Sequence, residues 1–197
     1  MILILTPLPI ERDELRRAGL DARTFRIEVA GHGKVEFAVK TVAAIREFKP
    51  DLVIGAGAAG GLADNVSPLD LVVAEQTVEH DFNLKFAKRP LPAFAGDKNS
   101  LAKLRELKFE FPVHFGGIAS GDEDVIESQR AREIFGRTQA LAVAWEGAGL
   151  ARACRHEGVP HLEIRAITDR ADSEAVDNFR KNLPEGMSRL AAVIARL

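Results

Sequence analysis

Two acidic residues follow apolar runs in a way that could place a carboxylate beside a bound molecule. Residues 162–167 are mostly apolar and lead into Thr168 and Asp169, and residues 141–145 lead into Glu146. Short apolar runs of this kind are typical of the inner strands of a parallel sheet. Ligands of open α/β sheets bind just beyond the carboxyl ends of the strands. Asp169 could therefore give a proton to a bound molecule, and Glu146 could accept two hydrogen bonds from sugar hydroxyls.

Each of these carboxylates also has a structural interpretation, and the residues alone leave both interpretations open. Asp169 could cap the next helix or turn by accepting backbone N–H groups. Glu146 precedes Gly147 and could be a helix-start carboxylate that is satisfied in the same way. Arg165, inside the apolar run, needs an acidic partner if it is buried, and we interpret it as part of a structural ion pair.

Other segments give weaker signals. Residues 55–61 are all glycine or alanine and would let the backbone approach a ligand, but they match neither the dinucleotide-binding nor the P-loop pattern. We interpret them as a tight turn from strand to loop. The adjacent residues His80 and Asp81 predict a local hydrogen bond between the two side chains. Cys154 has no evident activating partner, so we expect a buried thiol. The histidines show no zinc spacing, and no metal site is predicted.

Apolar runs and helical patterns alternate along the whole chain. This alternation predicts an α/β fold, a three-layer α/β/α sandwich with a mixed, largely parallel central sheet. No linker divides the chain, so we expect one domain over residues 1–197. The predicted strands are 2–5, 24–30, 51–54, 71–74, 113–119, 140–144 and 162–167, the predicted helices are 10–18, 35–48, 101–107, 128–135, 148–157 and 187–197, and residues 90–96 are a predicted loop.

Composition argues against several classes of protein. The chain has 197 residues, of which 46% are apolar and 28% charged, as is typical of a folded, soluble protein. The net charge of −2, without a basic block, argues against nucleic-acid binding. The apolar residues 1–5 are too few for a signal sequence or a membrane span, so no membrane association is predicted. A single cysteine gives no disulfide framework and favours a cytoplasmic location.

Four stretches form a more specific pattern because of their order along the chain. They are Gly31-His32-Gly33-Lys34-Val35, residues 53–61 with 70–73 and the His80-Asp81 pair, residues 144–147 (Ala-Trp-Glu-Gly), and residues 165–172 (Arg-Ala-Ile-Thr-Asp-Arg-Ala-Asp). This pattern resembles the purine nucleoside phosphorylase/nucleosidase superfamily, and most of all its 5'-methylthioadenosine/S-adenosylhomocysteine nucleosidase branch. In that branch the corresponding motifs are Gly-x-Gly-Lys-Val, a glycine-rich turn followed by an Asp-hydrophobic strand and His-Asp, Glu-Met-Glu-Gly or Glu-Met-Glu-Ala, and Arg-Ala-Ile-Ser-Asp-x-Ala-Asp.

The resemblance implies a purine nucleosidase, an N-ribosyl hydrolase, and gives roles to the matching positions. Asp169 would protonate or hydrogen-bond N7 of the purine, Glu146 would hold the ribose hydroxyls, and Glu11 would position and activate water. Trp145 occupies the place of a methionine that packs against the ribose. The remaining implied substrate residues are Ala58, Ala59 and Gly60 on the sugar side, Val125 at the end of a segment similar to Ser-Gly-Asp-Ala-Phe-Ile, and Phe179 as an aromatic on the base or 5' side.

The same resemblance favours hydrolysis over phosphorolysis. The phosphorylases bind phosphate with arginines and a serine near the glycine-rich turn, whereas residues 55–59 contain neither. A phosphorylase would have to bind phosphate through backbone amides and Arg12 or Lys34, which is one enzymatic alternative. Asp169 favours a 6-aminopurine, because the N6 amino group donates a hydrogen bond that a carboxylate accepts. Futalosine hydrolases, which are similar in size and opening residues but often have Asn at this position, are a further alternative.

Some positions depart from the family pattern. Ala58 replaces a serine, Ala144 replaces an acid, and the segment 120–125 lacks the aromatic residue that stacks on the base. A nucleoside-binding module without turnover is therefore the alternative from another functional class. For the enzyme, the resemblance implies a cytoplasmic homodimer or larger homo-oligomer in purine salvage, with a small purine nucleoside as its ligand and without a metal or other cofactor.

Overall fold

The structure, a computed structural model, describes residues 1–83, 85–86 and 89–197. Strands and helices alternate through most of these residues. In chain order the elements are β1 Ile2–Thr6, α1 Pro9–Arg17, β2 Phe25–Val29, α2 Lys34–Phe48, β3 Leu52–Gly61, β4 Leu71–Glu79, β5 Ala93–Ala95, α3 Lys98–Arg105, β6 Val113–Ser120, α4 Ser128–Thr138, β7 Ala142–Ala144, α5 Gly147–Glu157, β8 His161–Asp169 and α6 Ala175–Ile194.

The predicted strands and helices are present, with three corrections. The glycine- and alanine-rich residues 55–61 are not a turn but the second half of β3. The predicted loop 90–96 contains the short strand β5. Helix α6 begins at Ala175, well before its predicted start at residue 187. The segment 55–61 is a strand without bulky side chains because neighbouring groups occupy that space: a Cβ at Gly57 would lie 2.7 Å from Glu11 Oε1.

The sheet has eight strands, and five of them close into a ring. The order β2-β1-β3-β7-β6-β4-β5 is completed by β8, which pairs with both β3 and β4. Both edges are thus paired in each of the five ring strands, which are β3, β7, β6, β4 and β8. The β1–β2, β1–β3, β3–β8, β4–β6 and β6–β7 pairs are parallel, and the other three are antiparallel. The largely parallel character is as predicted, whereas the closed ring was not.

Alternate strand residues point into two separate cores, so helices cover both faces of the sheet. Ile4 and Ile54 pack in one core with residues of α1, α3 and α6. Leu3 and Val53 pack in the other with residues of α2 and α5. The second core includes Cys154, whose thiol is fully buried as expected, and burial raises its pKa to about 12. The predicted α/β fold with helices on both faces is confirmed.

The β3–β8 pairing brings the candidate acid to the edge of the sheet. The parallel register runs from Val53 opposite His161 to Ala59 opposite Ile167, and then slips by one residue so that Gly60 lies opposite Asp169. Such a bulge leaves one residue unpaired and re-aims the side chains beside it. Gly60 also pairs with Val143 of β7, so the ends of three strands meet at this point.

Helix α6 runs from this edge into the core. Its N-terminal part lies beside the end of β8, where the Asn182 side-chain amide donates a hydrogen bond of 2.7 Å to the Thr168 carbonyl. Its C-terminal part is buried through Met187 and Leu190, and Pro184 lies between the two parts. Among the described residues, neither this helix nor any shorter one has a stretch that is long and apolar enough to cross a membrane.

Position 147 tests how tightly the interior is packed. A Cβ at Gly147 would lie 2.1 Å from Glu163 Oε2, and Glu163 is held by Arg165 and Thr77. We expect Gly147→Ala to lower the free energy of unfolding by about 1–3 kcal/mol, the usual cost of overpacking. The matched control is Gly136→Ala in α4, where a Cβ meets nothing within 4 Å. This control should raise stability by roughly 0.5–1 kcal/mol. Urea unfolding measures both, and equal stability of the two variants would contradict the buried position of Glu163.

Candidate active site

The ends of β3, β7 and β8 border a cavity of about 470 Å³. The loop before α1, the segment after β6 and the first turns of α6 complete its walls. Every residue that the sequence placed in a nucleoside site lines this cavity, namely Glu11, Ala58, Ala59, Gly60, Val125, Trp145, Glu146, Asp169 and Phe179. The fold thus brings together residues that are as far apart in sequence as Glu11 and Phe179.

Asp169 is a buried acid that lines the cavity, and it caps the turn after β8 but not helix α6. Its Oδ1 accepts a hydrogen bond of 2.9 Å from the Ala171 N–H, and its Oδ2 accepts one of 2.8 Å from the Thr168 hydroxyl. The N-cap position of α6 is Glu174. Burial raises the pKa of Asp169, the charge of Asp172 adds to the rise, and the two hydrogen bonds partly offset it. The group therefore holds a proton more readily than an exposed aspartate does.

Glu11 is a second buried acid with a raised pKa. It lies in the first turn of α1, and its two oxygens accept the N–H groups of Leu8 at 2.9 Å and Ala58 at 2.8 Å. These bonds hold the carboxylate against β3. Burial raises its pKa from 4.5 to about 7, although the two hydrogen bonds and the charge of Arg165 act in the opposite direction. Glu11 therefore exchanges a proton close to neutral pH, as a general base should.

The predicted structural ion pair of Arg165 is confirmed, and it has two carboxylate partners. Arg165 is 1% exposed. Its Nε donates to Glu163 at 2.9 Å, and its Nη2 donates to Glu146 at 3.1 Å. A longer bond of 3.4 Å runs from Nη1 to the Ala58 carbonyl. The guanidinium thereby fixes two acids and the backbone of β3 relative to one another.

Glu146 is held by side chains and not by the N–H groups of its own helix. Its Oε2 accepts the hydrogen bond from Arg165, and its Oε1 lies 3.1 Å from His32 Nδ1. Burial opposes ionisation of Glu146, but the His32 hydrogen bond and the positive charge of Arg165 outweigh it, so its pKa is lowered. Glu146 is thus a fixed carboxylate at the cavity wall, which can accept hydrogen bonds from a ligand.

His32 also lines the cavity, and its role was not predicted from the sequence. Its ring lies 4.0 Å from the Trp145 ring, centroid to centroid, at an interplanar angle of 34°. The glycines on both sides of it were the available signal, because Gly31 and Gly33 have φ angles of +87° and +85°. Such angles favour glycine and turn the chain sharply into α2. The turn sets the imidazole against Glu146.

Lys34, two residues after His32, does not line the cavity. Its ammonium donates to Glu79 at 2.9 Å and to Asp81 at 2.6 and 2.8 Å. The predicted local hydrogen bond between His80 and Asp81 is wrong, because within the described residues neither ring nitrogen of His80 has a hydrogen-bond partner. Asp81 instead forms an ion pair with the half-buried Lys34. The two residues are distant in sequence, so the local pattern could not reveal this pair.

Comparison with known proteins identifies the family of this site. Residues 11–197 match the family described as the Phosphorylase superfamily. The chain belongs to this superfamily. Because the match spans all the residues that line the cavity except Pro7 and Leu8, the cavity is built from the segments that define the family.

Two relatives of this chain are named as nucleosidases. The chain is 35% identical over 165 residues to the 5'-methylthioadenosine/S-adenosylhomocysteine nucleosidase of Actinobacillus succinogenes, covering 79% of this chain and 72% of the relative. It is also 35% identical over 156 residues to the aminodeoxyfutalosine nucleosidase of Helicobacter pylori, covering 75% and 68%. The structure of the 5'-methylthioadenosine/S-adenosylhomocysteine nucleosidase of Helicobacter pylori with butyl-thio-DADMe-Immucillin-A has a TM-score of 0.89 at 26% identity, covering 98% of this chain and 95% of that one.

The raised pKa of Glu11 makes a prediction about stability. A carboxyl group whose pKa is about 7 in the folded protein and 4.5 in the unfolded chain binds its proton more tightly when folded. Its contribution to the free energy of unfolding is therefore present at low pH and is lost as the pH rises from about 4.5 through about 7. We expect wild type to lose about 2–3 kcal/mol more than Glu11→Gln between pH 5 and pH 8. Urea unfolding at the two pH values measures the difference, and parallel losses in both proteins would show that Glu11 titrates normally.

The contact between His32 and Glu146 makes a second prediction. The hydrogen bond from His32 to Glu146 is the main cause that raises the pKa of His32 above 6.5. Because the Glu146→Gln variant lacks this anionic partner, the pKa of His32 should fall in it. Histidine NMR signals followed through a pH titration measure the change, and the exposed His156 at the end of α5 serves as the internal reference. An unchanged titration of His32 would contradict the pairing.

Proposed function

We propose that this chain is a purine nucleosidase that hydrolyses the N-glycosidic bond of an adenine-type nucleoside, releasing the free base and the sugar. The observation that carries the proposal is the presence of two buried acids with raised pKa values, Asp169 and Glu11, on the wall of one cavity. Hydrolysis needs such a pair, because one group must protonate the leaving base and the other must take a proton from water. The related proteins with nucleosidase activity in their names support the same reaction.

The proposed reaction assigns a step to each acid. Protonated Asp169 gives its proton to N7 of the purine, and the glycosidic bond breaks with its electron pair going to the base. The sugar becomes oxocarbenium-like, as in glycoside hydrolysis. Ionised Glu11 accepts a proton from water while the water oxygen bonds to the anomeric carbon. Turnover by this reaction therefore requires Glu11 to be ionised and Asp169 to be protonated in the same molecule.

The remaining wall residues have binding roles in this proposal. Glu146 accepts hydrogen bonds from the ribose hydroxyls, and its ionised form also stabilises the positive charge on the sugar. The Trp145 ring packs against the ribose, with the backbone of Ala58, Ala59 and Gly60 on the sugar side. The partly buried Phe179 and the buried Val125 supply apolar surface for the base or the 5' substituent. Segment 120–125 lacks the aromatic residue of the family pattern. Contact with the base is therefore left to Phe179 and Val125.

The charges around the cavity support water, and not phosphate, as the nucleophile. Of the two cations proposed for phosphate, Lys34 is bound to Glu79 and Asp81, and Arg12 is paired with Asp13. Within the described residues neither lines the cavity. Arg165 and Arg180 do line it, but the guanidinium of Arg165 is already bonded to Glu163 and Glu146. Arg180 shares the cavity wall with five carboxyl groups, those of Glu11, Glu123, Asp124, Glu146 and Asp169. A phosphate dianion would therefore meet carboxylates more than free donors.

The 5' group of the substrate has two candidates that the relatives support equally. The nucleosidase of Actinobacillus succinogenes and the aminodeoxyfutalosine nucleosidase of Helicobacter pylori are both 35% identical to this chain over similar lengths. An aminodeoxyfutalosine-type nucleoside is therefore the second candidate substrate. One name includes adenosine-type nucleosides and the other an amino-substituted nucleoside, which agrees with an aspartate at position 169.

A cytoplasmic homodimer is part of the proposal. Two valines on α2, Val35 and Val39, are 75% and 65% exposed and lie one turn apart beside the turn that carries His32. An exposed apolar stripe of this kind supports burial against a second copy of the chain. The lone, buried Cys154 supports a reducing compartment. The family match over residues 11–197 supports one domain.

The experiment that tests the proposal is base release from a panel of nucleosides with and without phosphate. The panel is 5'-methylthioadenosine, S-adenosylhomocysteine, aminodeoxyfutalosine, futalosine, adenosine and inosine. We expect release of adenine without phosphate. Release only with phosphate would establish a phosphorylase, and nucleoside binding without release would establish a binding module.

Asp169→Asn should reduce kcat by about 10²–10⁴-fold, the usual contribution of a general acid. Asp172→Asn is the matched control, because it makes the same chemical change three residues away at a residue outside the cavity wall. The control should keep most of the activity. Equal activity of the two variants would exclude Asp169 as the acid, and circular dichroism of both would establish that they fold.

A further inference from the structure

A second cavity, of about 590 Å³, lies between the end of β4 and helix α4. It shares no lining residue with the candidate active site. Among the residues that the structure describes, its charged and polar wall residues are His80, Asp81, Asn83, Arg89, Arg130 and Arg137. Three guanidinium groups thus face a single carboxylate in a chain whose net charge is −2.

The positive charge of this cavity is only partly neutralised. Asp81 is bound to Lys34, so its charge is shared with a cation outside the cavity. Arg130 forms two hydrogen bonds with Glu123, at 2.6 and 2.8 Å. Arg89 and Arg137 form no ion pair with any residue of the described part of the chain, and both are exposed. Two guanidinium forks therefore remain available to a ligand.

His80 provides an independent indication that the cavity accepts a polar ligand. It is fully buried, and within residues 1–83, 85–86 and 89–197 its two ring nitrogens have no hydrogen-bond partner. Buried polar groups in native proteins are nearly always hydrogen-bonded, since an unpaired one is costly. The ring is held in place by its packing on Gly121, where a Cβ would lie 2.4 Å from Nε2. Nε2 thus points at Gly121, and because the ring borders the cavity, the cavity is where a partner for Nδ1 would come from.

We propose that this second cavity binds a phosphate-type oxyanion, either inorganic phosphate or the phosphate group of a small phosphomonoester. Guanidinium groups match the geometry of phosphate oxygens and bind them with two parallel hydrogen bonds. A neutral imidazole offers one N–H donor and one acceptor nitrogen. Hydrogen phosphate has both acceptor oxygens and a hydroxyl donor, so it can pair with Nδ1 of His80 in either tautomer. The cavity is larger than a phosphate ion and includes Phe82 and Leu91, which gives space for the rest of a phosphomonoester.

One ion pair connects this cavity with the first. Arg130 lines the second cavity, and its partner Glu123 lines the first. An anion beside Arg130 would compete with Glu123 for the guanidinium. Phosphate would thus act on the candidate active site through Glu123 and not as a nucleophile, which separates this proposal from a phosphorylase reaction.

The test is isothermal titration of the full chain with inorganic phosphate. We expect one saturable site in wild type and at least about tenfold weaker binding by Arg137→Gln. The matched control is Arg132→Gln, an exposed arginine of the same helix that lies outside the cavity wall, and it should bind like wild type. Absence of saturable binding, or equal weakening by both substitutions, would overturn the proposal.

Two further arms complete the test. Ribose 5-phosphate replaces phosphate in a parallel titration, and tighter binding of the ester than of free phosphate would identify a phosphomonoester as the ligand. The ring nitrogen NMR signals of His80 should shift as phosphate saturates the site, whereas those of the distant His156 should not. Phosphate binding that leaves the His80 signals unchanged would place the anion elsewhere and overturn the assignment. None of these readouts depends on base release, so the outcome is separate from that of the nucleosidase proposal.

Discussion

The buried guanidinium of Arg165 holds the charge balance on which the cavity depends. It hydrogen-bonds Glu163 and Glu146, and its charge also acts on Glu11. Three buried carboxyl groups thus share one buried cation. Because a low-dielectric interior makes each uncompensated charge costly, the acids cannot all be ionised as readily as in water. The hydrogen bond from His32 and the direct bond to Arg165 favour the ionised form of Glu146. Burial of Glu11 outweighs its two backbone hydrogen bonds and the more distant charge of Arg165, so its pKa rises to about 7. The two carboxyl groups near this cation therefore differ in how readily they hold a proton.

This arrangement needs space inside the sheet, and small residues provide it. A side chain at Gly57 would collide with Glu11, Arg165 and Pro7, and one at Gly147 would collide with Glu163. The same requirement explains why β3 could not be predicted as a long strand. Glycine and alanine have weak strand propensity, so residues 55–61 have the local pattern of a turn. Pairing with β1, β8 and β7 overrides that preference. The local sequence pattern was therefore misleading at the segment where the tertiary structure requires small side chains.

Much of the site could nevertheless be predicted from the sequence. Asp169 and Glu146 follow apolar runs, and the position of an acid at the end of a strand is a local property. Glu11, Trp145 and Phe179 came from the order of motifs, not from any local rule. The position of His32 depends on contacts with Trp145 and Glu146, which are more than a hundred residues away, so no window of sequence contains it. The early start of α6 was missed because residues 175–181 are mostly polar, and their few apolar members line the cavity.

Proline 184 divides α6 into two mechanically different halves. Proline has no backbone N–H, so the carbonyl of Arg180 lacks its usual partner in the helix. Ala175, Val176, Phe179 and Arg180 line the cavity before this break, whereas Met187 and Leu190 are fixed in the core after it. The first half can therefore bend or unwind at a smaller cost in backbone hydrogen bonds than a continuous helix would require, while the second half stays in place. The wall of the cavity that is easiest to move is thus the one built from a helix, and the rigid walls are those built from paired strands.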